Sequence, residues 1–183
     1  YGQLSKYFIR RFDVLDADKN YIIAPQGLSK FYVDEDYKNV GASWLTKEDR
    51  GSDLLNQQKY LIKLMDELKL KIDFSKIKIN FFGFSQGVSA LTRLLMNYNM
   101  KVNNIIIWAG WVPDEFFDIN KDVLKDTNLF FVVGNKDKYY NNPIIKGYLK
   151  KFKNILNKEI DYFVFKGGHI VDRKVLKKIN EKL

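Results

Sequence analysis

Hydrophobic residues in this chain follow two spacings that alternate along its length. Short, nearly continuous apolar runs rich in β-branched and aromatic residues occupy 21–24, 77–82, 104–108, 129–133 and 162–165. Runs of this kind mark strands buried on both faces of a sheet. Between them, over 4–12, 53–70, 86–98, 144–156 and 171–179, the apolar positions recur at helical intervals, as at 54, 55, 61, 64, 65 and 68 in the second of these segments. Alternating strands and helices predict an α/β fold, a mostly parallel sheet with helices on both faces and right-handed crossovers. No repeat, low-complexity segment or linker divides residues 1–183, so a single domain is expected. The longest stretch with neither spacing is 25–50. It follows a strand end, where sheets of this kind bind ligands, and loops of that length inside compact domains are usually functional.

Composition narrows the picture. With 46% hydrophobic and 15% aromatic residues the chain has the makings of a packed core. Its richest apolar run, 105–111, is far shorter than the roughly 20 residues a membrane-spanning helix needs, so no transmembrane segment is expected. There is no cysteine, which removes disulfides, thiolate metal sites and a cysteine nucleophile and suits a cytoplasmic location. The net charge of +9 is uneven, because residues 146–183 hold eleven Lys and Arg against four Asp and Glu. Such a region suits acidic partners, phosphates or anionic lipid. The favoured reading is plainer: Lys150, Lys151, Lys153, Lys174, Lys177 and Lys178 are the solvated faces of two amphipathic helices, and no nucleic-acid partner is expected. The opening Tyr1-Gly2-Gln3 carries neither a methionine nor a signal pattern, and the chain reads as entered partway through a fold.

The most informative segment is Gly83-Phe84-Ser85-Gln86-Gly87, which joins a predicted buried strand to a predicted helix. A serine held on a sharp strand-to-helix turn projects its hydroxyl above the sheet, and glycines two positions to either side are expected to relieve collisions with neighbouring backbone. The turn also aims the Gln86 amide, at the helix N-terminus, toward a developing oxyanion. The plain alternative is a glycine-flanked loop in which Ser85 only caps a helix. A serine hydroxyl needs a base, and the chain has one histidine, His169, preceded by Gly167 and Gly168 directly after the last predicted strand. The orienting carboxylate is expected between serine and histidine in chain order. Asp137, after a strand and a Gly-Asn turn, is the favoured residue, with Asp114 as rival; Asp118 follows the same earlier strand, and Asp161 lies at the wrong end of its strand.

Phe82-Gly83-Phe84-Ser85-Gln86-Gly87, then Ala109-Gly110-Trp111-Val112-Pro113, Val133-Gly134-Asn135-Lys136-Asp137, and Gly168-His169 before a terminal helix together resemble the phospholipase/carboxylesterase family of small α/β-hydrolases, which includes the acyl-protein thioesterases. The likeness spans nearly the whole chain. It implies an α/β-hydrolase fold whose early strands precede residue 1, and hydrolysis of a small-molecule or acyl-bearing carboxylic ester or thioester without metal or organic cofactor. It further implies Ser85 as nucleophile, His169 as base and Asp137 as its orienting acid. Tyr1-Gly2 resemble the end of the family's His-Gly-x-Gly segment, so that Tyr1 would join Gln86 in the oxyanion hole. Lining of the acyl or alcohol site is expected from Trp44 and Trp111, with Phe116 and Phe117 divided between substrate contact and core. Two other functions fit less well: a serine peptidase-like amide hydrolase, disfavoured by the small size, and a non-catalytic binding protein, which would not require all three polar residues. The pattern is silent on oligomeric state.

Overall fold

Four of the five apolar runs find strand neighbours, and that pairing organises the molecule. The computed structural model describes residues 1–119 and 121–183. In chain order it comprises α1 (Ser5–Phe8), continued by a tighter 3-10 turn over Ile9–Phe12, then β1 (Ser29–Tyr32), β2 (Val40–Ser43) and α2 (Arg50–Lys69). There follow β3 (Asn80–Phe84), α3 (Gln86–Asn97), β4 (Asn104–Trp108), a 3-10 turn at Asp114–Asp118, β5 (Asn128–Gly134), α4 (Asn142–Leu156), β6 (Asp161–Phe165) and α5 (Arg173–Asn180). Strands β3 to β6 form one parallel sheet in that order, with Phe82 opposite Ile106, Ile106 opposite Phe130 and Val132 opposite Phe163. The chain therefore has the parallel α/β sheet with covering helices read from its periodicity.

Alternation along the strands sorts their side chains onto two faces. On one, Phe82 and Phe84 meet Phe8 and Phe12 of the N-terminal turns, and Trp108 meets Phe82 and Phe165. On the other, Gly83 lies against Val88 of α3, and Phe131 packs on Tyr148 of α4. Both faces are covered, so every residue of β4 is buried, as are residues 129–134 of β5. Each fully buried Ile, Val or Phe contributes about 1.5–3 kcal/mol relative to exposure, which makes these central strands the energetic core. Helices α4 and α5 start where side chains replace missing backbone partners: Asn141 accepts from the Ile144 amide and Asp172 from the Val175 amide. Among the described residues no helix is long and apolar enough to cross a membrane.

Three expectations need correction. Residues 21–24 form no strand; Tyr21 is 81% exposed, because β-propensity without a neighbouring ladder gives an extended segment nothing to pair with. The stretch 25–50 is not irregular throughout, since β1 and β2 pair antiparallel with Phe31 opposite Gly41. The first predicted helix shrinks to a single α-turn and a 3-10 turn.

At Gly134 a Cβ would fall 2.3 Å from the Gly167 carbonyl oxygen and 2.5 Å from that of Gly168, whereas at Gly147, in α4, it would meet nothing within 4 Å. Opposite signs follow. In urea titrations Gly134→Ala should lower stability by about 3 kcal/mol, backbone having no room to give. Gly147→Ala should raise it by about 1 kcal/mol through helix propensity.

Candidate active site

The turn between β3 and α3 holds Ser85 at φ 53°, ψ −122°, a backbone conformation unfavourable for a residue with a side chain. Neighbouring groups hold it there. The Ser85 amide donates to the Trp108 carbonyl at 2.9 Å, and the Val88 amide donates to the Ser85 carbonyl at 3.1 Å. A Cβ on Gly83 would come within 2.7 Å of the Val88 Cα, and one on Gly110 within 2.4 Å of the Ser85 carbonyl oxygen. Gly87 differs from expectation. Its Cβ would meet no backbone, only the Trp44 Nε1 at 3.9 Å, so this glycine leaves space open instead of relieving a collision.

The loops after β5 and β6 are sewn together by backbone. Asn135 donates its amide to the Phe165 carbonyl and Lys136 to that of Gly167, each at 2.8 Å, and the Gly167 amide donates to Asn135 Oδ1 at 3.2 Å. This seam delivers Asp137 and His169 to one another and to the serine. His169 Nδ1 lies 2.7 Å from Asp137 Oδ2, and Nε2 lies 2.8 Å from Ser85 Oγ. The Asp137 carboxyl is fully buried, and its other oxygen accepts from the Tyr139 amide at 3.0 Å. With an ionised carboxylate on one side, the matching tautomer carries its proton on Nδ1 and leaves Nε2 to accept from the hydroxyl. The imidazole is flanked by the rings of Phe84 and Tyr139, each centred 4.9 Å away.

The rival acids lie elsewhere. Asp114 is exposed and paired with Lys151, Asp118 borders a hollow with Leu95 and Met96, and Asp161 begins β6 opposite Phe130. Phe116 and Phe117 are 1% and 6% exposed, so both belong to the core and neither serves as substrate lining. Trp111, 45% exposed, stacks on Tyr140 with centroids 4.8 Å apart and stands edge-on to Tyr148, whose hydroxyl accepts from the Val112 amide at 2.7 Å. Burial, reinforced for Tyr140 by the nearby Asp137 charge, holds both tyrosine hydroxyls well above their ordinary pKa. They stay neutral, and the aromatic bed under Trp111 carries no charge.

One network lies outside every motif read in the sequence. The Gln86 side chain accepts from the Trp44 amide at 2.8 Å and donates to the Leu45 carbonyl at 2.7 Å and to the buried Ser43 hydroxyl at 3.0 Å. On the far side, Gln57 of α2, only 2% exposed, donates to the Trp44 carbonyl at 2.7 Å. Polar residues on a buried helix stripe, as Gln57 is, were the available clue. Tyr1 sits at the edge of β2, where the Gly2 amide donates to the Ala42 carbonyl at 2.8 Å, one residue before Ser43. Among the described residues no group of three or more His, Cys, Asp or Glu is arranged to hold a metal ion.

A model of the Phospholipase/Carboxylesterase family matches residues 17–183. No curated protein sequence matches significantly. In structure the chain is similar to a carboxylesterase from Mesorhizobium loti, with a TM-score of 0.72 and 14% identity over 100% of this chain and 85% of that one. It is also similar to the Bacillus cereus carboxylesterase, with a TM-score of 0.67 and 15% identity over 99% and 82%. Zea mays acyl-protein thioesterase 2 gives 0.58 and 13% over 79% and 72%. At these identities the structural likeness is one of fold.

The elbow helix is also braced from below. Arg93 of α3, 8% exposed, is bonded to Ser89 and reaches Glu115 at 2.6 Å, which ties the turn after Trp111 to α3. The Glu115 carboxyl is held below its usual pKa, first by its own amide and then by the Arg93 guanidinium. A depressed folded-state pKa adds stability above the unfolded value and loses it as pH falls through the folded one. Glu115→Gln should therefore have a lower urea midpoint than the parent at pH 7, and the two midpoints should converge as pH falls from the ordinary glutamate range through the depressed folded-state pKa.

Proposed function

The chain belongs to the phospholipase/carboxylesterase family, and from that we propose that it is a serine esterase or thioesterase working through an acyl-enzyme on Ser85. The observation that carries this reading is the pair of short hydrogen bonds on opposite nitrogens of the only histidine, 2.7 Å to Asp137 and 2.8 Å to Ser85. In the proposed cycle Ser85 Oγ attacks the substrate carbonyl while its proton passes to His169 Nε2. The tetrahedral oxygen becomes negative beside the Gln86 amide at the start of α3, where unpaired backbone donors favour an anion. Tyr1 is proposed as the source of the second amide, its position beside β2 placing it close in the fold to the segment that Gln86 grips. His169 then returns the proton to the departing alcohol or thiol. A water molecule, deprotonated by the same nitrogen, attacks the acyl-enzyme and releases the carboxylic acid and free Ser85. Asp137, shut away from solvent, keeps the imidazole in the tautomer that accepts from the hydroxyl and steadies it when protonated.

The half-exposed Trp111, backed by neutral tyrosines, and Trp44 on the other side of the elbow are proposed to contact the acyl or leaving group. That two fold neighbours are carboxylesterases and one is an acyl-protein thioesterase supports the ester and thioester class.

Incubation with a fluorophosphonate probe should modify Ser85, as located by peptide mass spectrometry, and absence of adduct on folded protein would overturn the proposal. With short p-nitrophenyl esters, Ser85→Ala and His169→Ala should each lower kcat by about 10⁴-fold or more, and Asp137→Asn by on the order of 10⁴-fold because it inverts the tautomer. His169→Ala at near-native rates would exclude the base assigned here, since the chain holds no other histidine.

A further inference from the structure

We propose that the indole N–H of Trp44 donates a hydrogen bond to an oxygen of the bound ester, making Trp44 a polar contact of the substrate as well as an apolar wall. This rests on Ser85 being the nucleophile. Three observations converge on the nitrogen. First, it is a donor without employment: among the described residues Trp44 Nε1 has no acceptor, and it is not one of the polar atoms sealed from solvent. Second, it lies beside the first turn of the helix that follows Ser85. A side chain on Gly87, two residues after Ser85 and in the first turn of α3, would have this nitrogen as its nearest neighbour, at 3.9 Å. The absent side chain leaves room for a substrate atom between the indole and the helix terminus.

Third, the tryptophan is fixed from both ends of its own peptide. Its amide donates to Gln86 Oε1 at 2.8 Å, and its carbonyl accepts from Gln57 Nε2 at 2.7 Å. Gln57 is 2% exposed and the adjoining Ser43 1% exposed. An amide side chain buried on the apolar stripe of α2 is a costly way to hold a loop unless the loop must be held closely. The ring itself has only a loose, tilted approach to Tyr60, with centroids 6.5 Å apart. An unpaired, solvent-reachable donor whose residue is fixed by its backbone is preorganised for a ligand acceptor, the arrangement that makes hydrogen bonds effective in catalysis.

The test uses substitutions that separate the N–H from the ring. Trp44→Phe keeps an aromatic wall and deletes the donor, and it should reduce kcat/KM for p-nitrophenyl acetate about tenfold, the scale of one hydrogen bond to a charge-bearing oxygen. Its urea midpoint and its end-point fluorophosphonate adduct on Ser85 should stay as in the parent. Gly87→Ala inserts a methyl at ordinary contact distance from Nε1, so it should fold normally yet show a comparable fall by occupying the substrate's place. A folded Trp44→Phe with parental kcat/KM would overturn the proposal; should that variant not fold, parental kcat/KM in Gly87→Ala would do so. Failure of the parent protein to form the Ser85 adduct would instead strike at the nucleophile assignment.

Discussion

Asp137 and His169 meet because the backbone at Gly134 passes directly against the carbonyls of Gly167 and Gly168. Most of the site's geometry descends from that close approach. It lets the loops after β5 and β6 exchange main-chain hydrogen bonds beyond the last paired residues of the sheet, so the ladder in effect continues past its strands. Main-chain bonds position a loop more tightly than side-chain contacts, because no rotamer freedom intervenes. A second close approach, Gly83 against Val88, does the same for the serine. Ser85, Asp137 and His169 are thus held by backbone, and the surrounding side chains refine a geometry already set.

Much of this was legible in the residues alone. The strands β4 and β5 announce themselves because a sheet buried on both faces demands unbroken apolar runs, and the buried 104–108 is such a run; the edge strand β6 shows the same apolar composition although Tyr162 and Val164 are exposed. Ser85, Asp137 and His169 stood out because each follows a strand in the order that one edge of a parallel sheet brings together. What could not be read depends on neighbours. Residues 21–24 have strand-like composition and no ladder, while Ser29–Tyr32 and Val40–Ser43 pair across a turn that no run of alternation betrays. Phe116 and Phe117 follow the strand that leads toward the site, yet point into the core, because a 3-10 turn redirects them. Gly87 looked like a steric necessity and proved to be a vacancy. Glutamine at 86 has a main-chain role proposed from the elbow motif and a side-chain role that only the fold reveals.

Polar groups in apolar surroundings are disposed differently on the two sides of the elbow. Beside Trp44 the buried Gln57, Ser43 and Gln86 satisfy one another and the loop backbone. Beside Trp111 the support is aromatic, and the Tyr140 hydroxyl is buried with no hydrogen-bond partner among the described residues. An unsatisfied buried hydroxyl costs about 1–3 kcal/mol, a burden the stacking of Tyr140 on Trp111 offsets in part. One wall is therefore held by directional bonds and the other by packing.

The hydrogen bond between His169 and Ser85 joins residues 84 positions apart. Contacts of such range close only after the intervening chain has been ordered, which here means β4, β5 and β6 laid side by side. The strained serine turn is local and can form early, but its hydroxyl has no imidazole partner until the last strand docks. On the proposed reading, Ser85 is present and chemically silent during folding and in any partly opened state that releases β6. Its reactivity would then be a property of the completed sheet, appearing at the final step of assembly.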